Sequence, residues 1–151
     1  MSQMNSFDLD EFLPYQLAVL ASRISAEYAE IYGKRFGLSL AEWRMLAHLA
    51  TAEKVSTREV YKRVDLDKTQ VSRAAARLEL TGLIEKARSA TDRRLVEMSL
   101  TEKGRTLMQE ITPIARAFEA EVVARFAPGD GAEFRRLVTT ALAVSSGDGT
   151  R

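Results

Sequence analysis

The run from Asp67 to Gly82 constrains this chain most, because its two ends and its interior agree on one structure. Asp67 and Gln70 have the spacing of a reciprocal helix cap, in which each side chain satisfies a backbone donor of the other residue. Gly82 suits the left-handed residue that stops a helix. Between them Val71, Ala74, Ala75 and Leu78 recur at steps of three and four and form one narrow apolar stripe. Lys68, Thr69, Ser72, Arg73 and Ala76 take the opposite side, which makes that side a hydrogen-bonding surface. Upstream, Ser56 and Glu59 are spaced as a capping box that opens a short helix ending near Arg63. Only Val64, Asp65 and Leu66 lie between that helix and Asp67. Two helices joined by so short a turn cross steeply, as in a helix-turn-helix whose second helix enters a DNA major groove.

A groove-reading helix needs donors and acceptors that reach outward near its N-terminus, where the helix dipole and free N–H groups also favour phosphate. Lys68, Thr69, Gln70, Ser72 and Arg73 supply them, with Arg77 further round and as open to a phosphate or the neighbourhood of Glu79 as to a base. Ser56 and Thr57, at the start of the preceding helix, can donate to phosphate, although capping alone accounts for Ser56. After Gly82 the period changes. Leu83 to Arg88 and Arg94 to Leu100 read as the strands of a β-hairpin around the polar centre Ser89-Ala90-Thr91-Asp92. A hairpin directly after a recognition helix is a wing, and its basic tip, with Arg88, Arg93 and Arg94, suits a narrow, negative minor groove. Asp92 would be repelled by phosphate, so its expected role is to hold one of these arginines in place.

The charge distribution supports this division. The whole chain of 151 residues carries a net charge of only +1. Residues 57–94 nevertheless hold 10 Lys and Arg against 6 Asp and Glu, whereas residues 1–56 hold 5 against 7 and residues 95–151 hold 7 against 8. The positive surplus therefore coincides with the helix-turn-helix and wing, as an electrostatic footprint for DNA does.

The flanking segments are amphipathic helices. From Glu11 to Gly37, Leu13, Leu17, Leu20, Ile24, Tyr28 and Ile31 form one face, and Pro14 is tolerable in the first turn. A second helix starts at Ser39, capped reciprocally with Glu42, and is expected to bury Leu40, Trp43, Leu46 and Leu49. Beyond the wing, Thr101 caps a long helix bearing Leu107, Ile111, Ile114, Phe118, Val122 and Phe126, with a kink expected at Pro113. Asp130 and Glu133 open a last helix, and residues 1–8 and 145–151 are expected to lack regular structure. The terminal helices present more apolar surface than a small winged-helix core covers. Pairing with a second copy about a two-fold axis would bury it and set two recognition helices about 10 base pairs apart.

The order helix-turn-helix, then Asp92-Arg93-Arg94 in the wing, then Ser99-Leu100-Thr101-Glu102-Lys103-Gly104, resembles the MarR family of multiple antibiotic resistance regulators over about residues 11–144. The resemblance implies a mainly α fold with a small β-hairpin wing, one protomer over 1–151, a DNA-binding lobe at 39–100, and dimerisation helices at 11–37 and 101–146. It implies a triangular homodimer bound to double-stranded DNA, and it singles out Arg94 as the minor-groove residue, a choice that strand alternation leaves open among Arg88, Arg93 and Arg94. It also implies a small aromatic carboxylate, phenolic acid or related thioester as effector, in a cleft between the dimerisation helices and the DNA-reading lobe. Glu42-Trp43-Arg44 is similar to the branch that responds to hydroxycinnamate-type acids or their thioesters. Arg23, Trp43 and His48 are the candidate effector residues, each with an ordinary alternative: an ion pair with Glu27, a core ring and a solvated imidazole.

The expected function is therefore a dimeric regulator that represses from a pseudo-palindromic operator until a ligand releases it. An enzyme is not expected, because one histidine, no cysteine, no phosphate-cradling glycine loop and no metal-ligand cluster leave little chemistry to assemble. No cofactor or metal is called for. Absence of cysteine excludes disulfides, thiolate zinc sites and a cysteine redox switch. Uncharged stretches reach only about eleven residues, short of a membrane span, and no leader pattern is present, so a cytoplasmic location is expected. The rival reading is a winged-helix protein-protein adaptor without selective DNA binding.

Overall fold

The computed structural model describes residues 6–52 and 54–145; the irregularity expected at the two termini falls largely outside these residues. A 3-10 turn at Leu9–Glu11 leads into helix α1, Leu13–Phe36, which has proline in its first turn and is closed by Gly37 at φ 66°. Helix α2, Leu40–Thr51, opens with both halves of the Ser39–Glu42 capping box in place. The Ser56 hydroxyl accepts from the Glu59 amide and starts α3, Thr57–Arg63. The Asp67–Gln70 box is complete and opens α4, Lys68–Leu80. Gly82, at φ 75°, then turns the chain into strand β2, Ile84–Arg88, which pairs with β3, Val96–Leu100. Helices α5, Glu102–Ala124, and α6, Asp130–Ser145, complete the order.

The wing is more than the expected hairpin. A two-residue strand β1, Val55–Ser56, lies antiparallel to β3 with Val55 opposite Met98, giving the sheet order β1-β3-β2. Register in the hairpin proper places Ile84 opposite Leu100 and Arg88 opposite Val96. Because β1 runs directly into α3, the sheet ties the start of the helix-turn-helix to the wing. An extra ladder on a short hairpin matters, since two strands alone are marginal in water.

The chain divides into two compact units, residues 1–109 and 110–151, with α5 beginning in the first and ending in the second. In the first unit the core is built from Tyr32, Met45, Leu46, Val60, Val71, Leu78 and Met98, all essentially without solvent exposure. Two expectations for α1 and α2 are corrected. Tyr32, not Ile31, is the fully buried residue of α1, and Leu40 is exposed while Met45 takes its place inside. The displacement follows from the aromatic cluster, in which Trp43 meets Tyr28 edge-on at 5.2 Å and stacks on Tyr32 at 6.0 Å. Gly104 sits so close to the Leu83 carbonyl that a Cβ there would collide with backbone, which seats α5 at the end of β2. In the second unit the Phe126 and Phe134 rings stack at 5.0 Å, Gly131 is flush with the Val123 carbonyl, and Arg135 pairs with Glu119. The helix α5 runs through Pro113 without a break in its assignment.

Candidate nucleic-acid interface

Helix α4 separates its two tasks by face. Val71, Ala74, Ala75 and Leu78 are buried against the lobe, and α2 packs against the same helix. Lys68, Thr69, Gln70, Ser72, Arg73 and Arg77 are all exposed. The cap fixes where the outer row begins: the Asp67 carboxylate accepts from the Gln70 amide at 2.8 Å, and the Gln70 carbonyl oxygen accepts from the Asp67 amide at 3.3 Å. Gln70 therefore spends its side-chain acceptor on the cap. The Lys68 ammonium stands 6.0 Å over the Tyr61 ring of α3, so its position is biased by a cation–π contact.

Within the protein Arg77 pairs with Glu42 and not with Glu79. Its guanidinium Nε lies 3.0 Å from a Glu42 carboxylate oxygen on α2. Glu42 is only 4% exposed and its other oxygen accepts from the Ser39 amide at 3.2 Å, so one buried carboxylate caps α2 and holds the last turn of α4. A carboxylate stays in such a site only if it is paired and hydrogen-bonded. Sequence spacing identified the cap and could not show the second bond, because Glu42 and Arg77 are far apart in the chain.

The wing tip is shaped by bonds that sequence patterning passed over. Ser89 is buried, and its hydroxyl accepts from the amides of Thr91 and Asp92 at 3.3 Å each while sharing a hydrogen with the Thr91 hydroxyl at 3.0 Å. The signal was present in Ser89-Ala90-Thr91-Asp92, since serine and aspartate cap turns through their own backbone. Asp92 holds Arg94 as expected: one carboxylate oxygen accepts from the Arg94 amide at 3.1 Å and from its Nε at 3.2 Å. These bonds hold the Asp92 carboxyl below the usual carboxylate range, with the Arg58 charge assisting. Arg88, Arg93 and Arg94 are all exposed around this tip.

A second feature lies between α1 and α2. An open cleft of about 410 Å³ is lined by Ser22, Ser25, Ala26 and Ala29 of α1 with Tyr32, Leu40 and Arg44. None of Arg23, Trp43 and His48 lines it: Arg23 is on the exposed side of α1, Trp43 is part of the aromatic cluster, and the His48 carbonyl accepts from Thr51. Burial pushes the Tyr32 phenol up, opposed by the positive charge of Arg44. The Tyr32 hydroxyl meets no hydrogen-bond partner among the described residues.

A helix pair joined by a short turn, whose second helix is capped, exposed along one polar row and followed by a three-stranded basic wing, defines a winged helix-turn-helix protein. Residues 36–95, about two fifths of the chain, match the family model described as the MarR family. It is 29% identical over 107 residues to the helix-turn-helix-type transcriptional regulator YdgJ of Bacillus subtilis, covering 71% of this chain and 63% of YdgJ, less than two thirds of that relative. It is 27% identical over 128 residues to the transcriptional repressor Rv2887 of Mycobacterium tuberculosis, covering 84% of this chain and 88% of that one. The solved structure of Bordetella bronchiseptica BpsR, whose DNA binding is regulated by 6-hydroxynicotinic acid, superposes with a TM-score of 0.81 at 24% identity, over 94% of this chain and 99% of that one. Among the described residues no helix is long and apolar enough to cross a membrane.

Proposed function

We propose that this chain is a homodimeric, sequence-specific DNA-binding repressor that a small aromatic or phenolic acid, or a related thioester, releases from a pseudo-palindromic operator. The observation that carries the reading is the exposed polar row of α4, pinned by its cap beside an ordered basic wing. Lys68, Thr69, Ser72 and Arg73 read base edges in the major groove, with Gln70 contributing its amide. Ser56 and Thr57 at the start of α3 position a phosphate. Arg88, Arg93 and Arg94 enter the adjoining minor groove, with Asp92 setting the pose of Arg94.

Dimerisation is supported by apolar side chains left on the surface of each unit. Leu13, Leu17 and Leu20 of α1 are 61, 50 and 38% exposed, and Leu137, Leu142 and Val144 of α6 are 50, 66 and 79% exposed. Such a density of apolar surface on terminal helices calls for a partner. The effector reading is supported by the α1–α2 cleft, which offers an apolar floor, a buried phenol and one guanidinium, the composition that suits a ring bearing an acid. Regulation of BpsR by a hydroxylated aromatic acid, and the name of Rv2887 as a repressor, point the same way. A ligand that discriminates between two spacings of the recognition helices by about 2 kcal/mol lowers operator affinity more than tenfold.

The test is a fluorescence-anisotropy titration against DNA from upstream of the protein's own gene and a scrambled duplex, at two salt concentrations, with and without aromatic acids. Selective binding that falls steeply with salt and is weakened by an acid is expected. Equal, weak binding to both duplexes would favour the adaptor reading instead.

A further inference from the structure

The first two turns of α2 hold both ends of the recognition helix. Glu42 pairs with Arg77 in the last turn of α4 at 3.0 Å. Arg44, on the next turn's approach, sends one guanidinium nitrogen to the Val64 carbonyl at 3.0 Å and to the Asp65 carbonyl at 3.4 Å. Those two residues form the turn between α3 and α4, and Asp65 is the non-glycine residue with positive φ among the described residues, at 54°. A left-handed residue with a side chain is costly for an L-amino acid and persists only where its surroundings fix it. The Arg44 bonds do part of that fixing.

The same Arg44 lines the α1–α2 cleft beside Tyr32 and Leu40. Arg44 thus borders the cleft while its guanidinium bonds the carbonyls of the turn. Neutral carbonyls make weaker partners for a guanidinium than a carboxylate does, because a charge-assisted, two-pronged pair is roughly twice as strong. We propose that Arg44 is the positioning residue that couples the cleft to DNA reading: an anion seated in the cleft draws its guanidinium away from Val64 and Asp65, the turn relaxes, and α4 pivots about the remaining Glu42–Arg77 anchor. The proposal rests on the effector reading above and adds the path by which occupancy reaches the helix. It identifies the ligand by chemistry, as a small planar acid of one negative charge, and makes the neutral amide of the same ring ineffective.

The experiment uses the full chain, an operator duplex, benzoate as probe and benzamide as its uncharged counterpart, with direct calorimetric binding of benzoate alongside. In the wild-type chain, benzoate lowers operator affinity at least tenfold and benzamide does not. Arg44→Gln binds the operator several-fold more weakly without ligand and shows no further loss on adding benzoate, whereas Arg44→Lys retains a partial response. Benzoate weakening wild type and Arg44→Gln equally would overturn the coupling role while leaving the effector reading intact. A ligand-free arm covers the case in which benzoate does not bind, which would count against the effector reading alone. Ala29→Glu, or Ala26→Glu should the first fold poorly, brings a carboxylate to the cleft from α1; it weakens operator binding in the wild-type background and has no added effect in Arg44→Gln. Strictly additive losses in that double-mutant cycle would overturn the proposal.

Discussion

At the scale of single residues, the exposed row of α4 divides into groups spent on its cap and groups that the proposed function assigns to base edges. Arg73 is outward, near the helix start, and makes no side-chain bond among the described residues, so Arg73→Ala is expected to relax preference at one operator position at a cost of about 1–3 kcal/mol. Competition between operators differing at single base pairs measures this, and a loss that is the same on every sequence would assign Arg73 to phosphate. Asp92 offers a test by pH. Its folded carboxyl is held below the unfolded value, so its contribution to wing order is complete above the unfolded range and is lost only as pH falls through the lower folded value. A carboxyl-carbon NMR titration should therefore show Asp92 still ionised where ordinary aspartates are half protonated, and Asp92→Asn should loosen Arg94 at neutral pH. Legibility at this scale was uneven. That Asp92 holds an arginine of the tip could be read from charge logic, though not which arginine, whereas Ser89, Glu42 and Arg44 act through partners that no local pattern exposes.

Among the elements, the caps and stops were written plainly: Ser39 with Glu42, Asp67 with Gln70, Gly37 and Gly82 all sit where their spacing placed them. Strand β1 was not legible, because two residues cannot show a period and Val55 looks like the tail of a loop. The α1–α2 cleft was not legible for a related reason: it is walled largely by alanines and serines, which carry no chemical signature, and none of Arg23, Trp43 and His48 lines it. Two outcomes belong to this scale. Gly104→Ala should cost about 1–3 kcal/mol in a thermal melt, since the added methyl meets the Leu83 backbone, which cannot swing aside. The α1–α2 aromatic cluster should fail at high pH. Burial, reinforced by Tyr32, pushes the Tyr28 phenol up to about 12, so this stability is complete below the unfolded value near 10 and drains away as pH rises towards 12. Tyrosinate absorbance and unfolding should rise together across that window; ionisation without unfolding would show that the cluster is dispensable.

For the whole molecule, the question is what covers the apolar faces of α1 and α6. Removing α6 from Asp130 onward is expected to abolish the soluble dimer, and a well-folded monomer in sedimentation of the truncated chain would contradict the burial argument. Near-neutral net charge conceals the lobe's surplus, so affinity for DNA should respond to salt far more than a charge of +1 suggests. The division of α4 into a packed face and an exposed face has an evolutionary consequence. Its buried side and caps carry most of the folding information, while Lys68 adds only its contact with Tyr61, and Thr69, Ser72 and Arg73 make no side-chain bond among the described residues. A duplicated gene could rewrite those four codons and acquire a new genomic address in a few substitutions, with no intermediate that fails to fold.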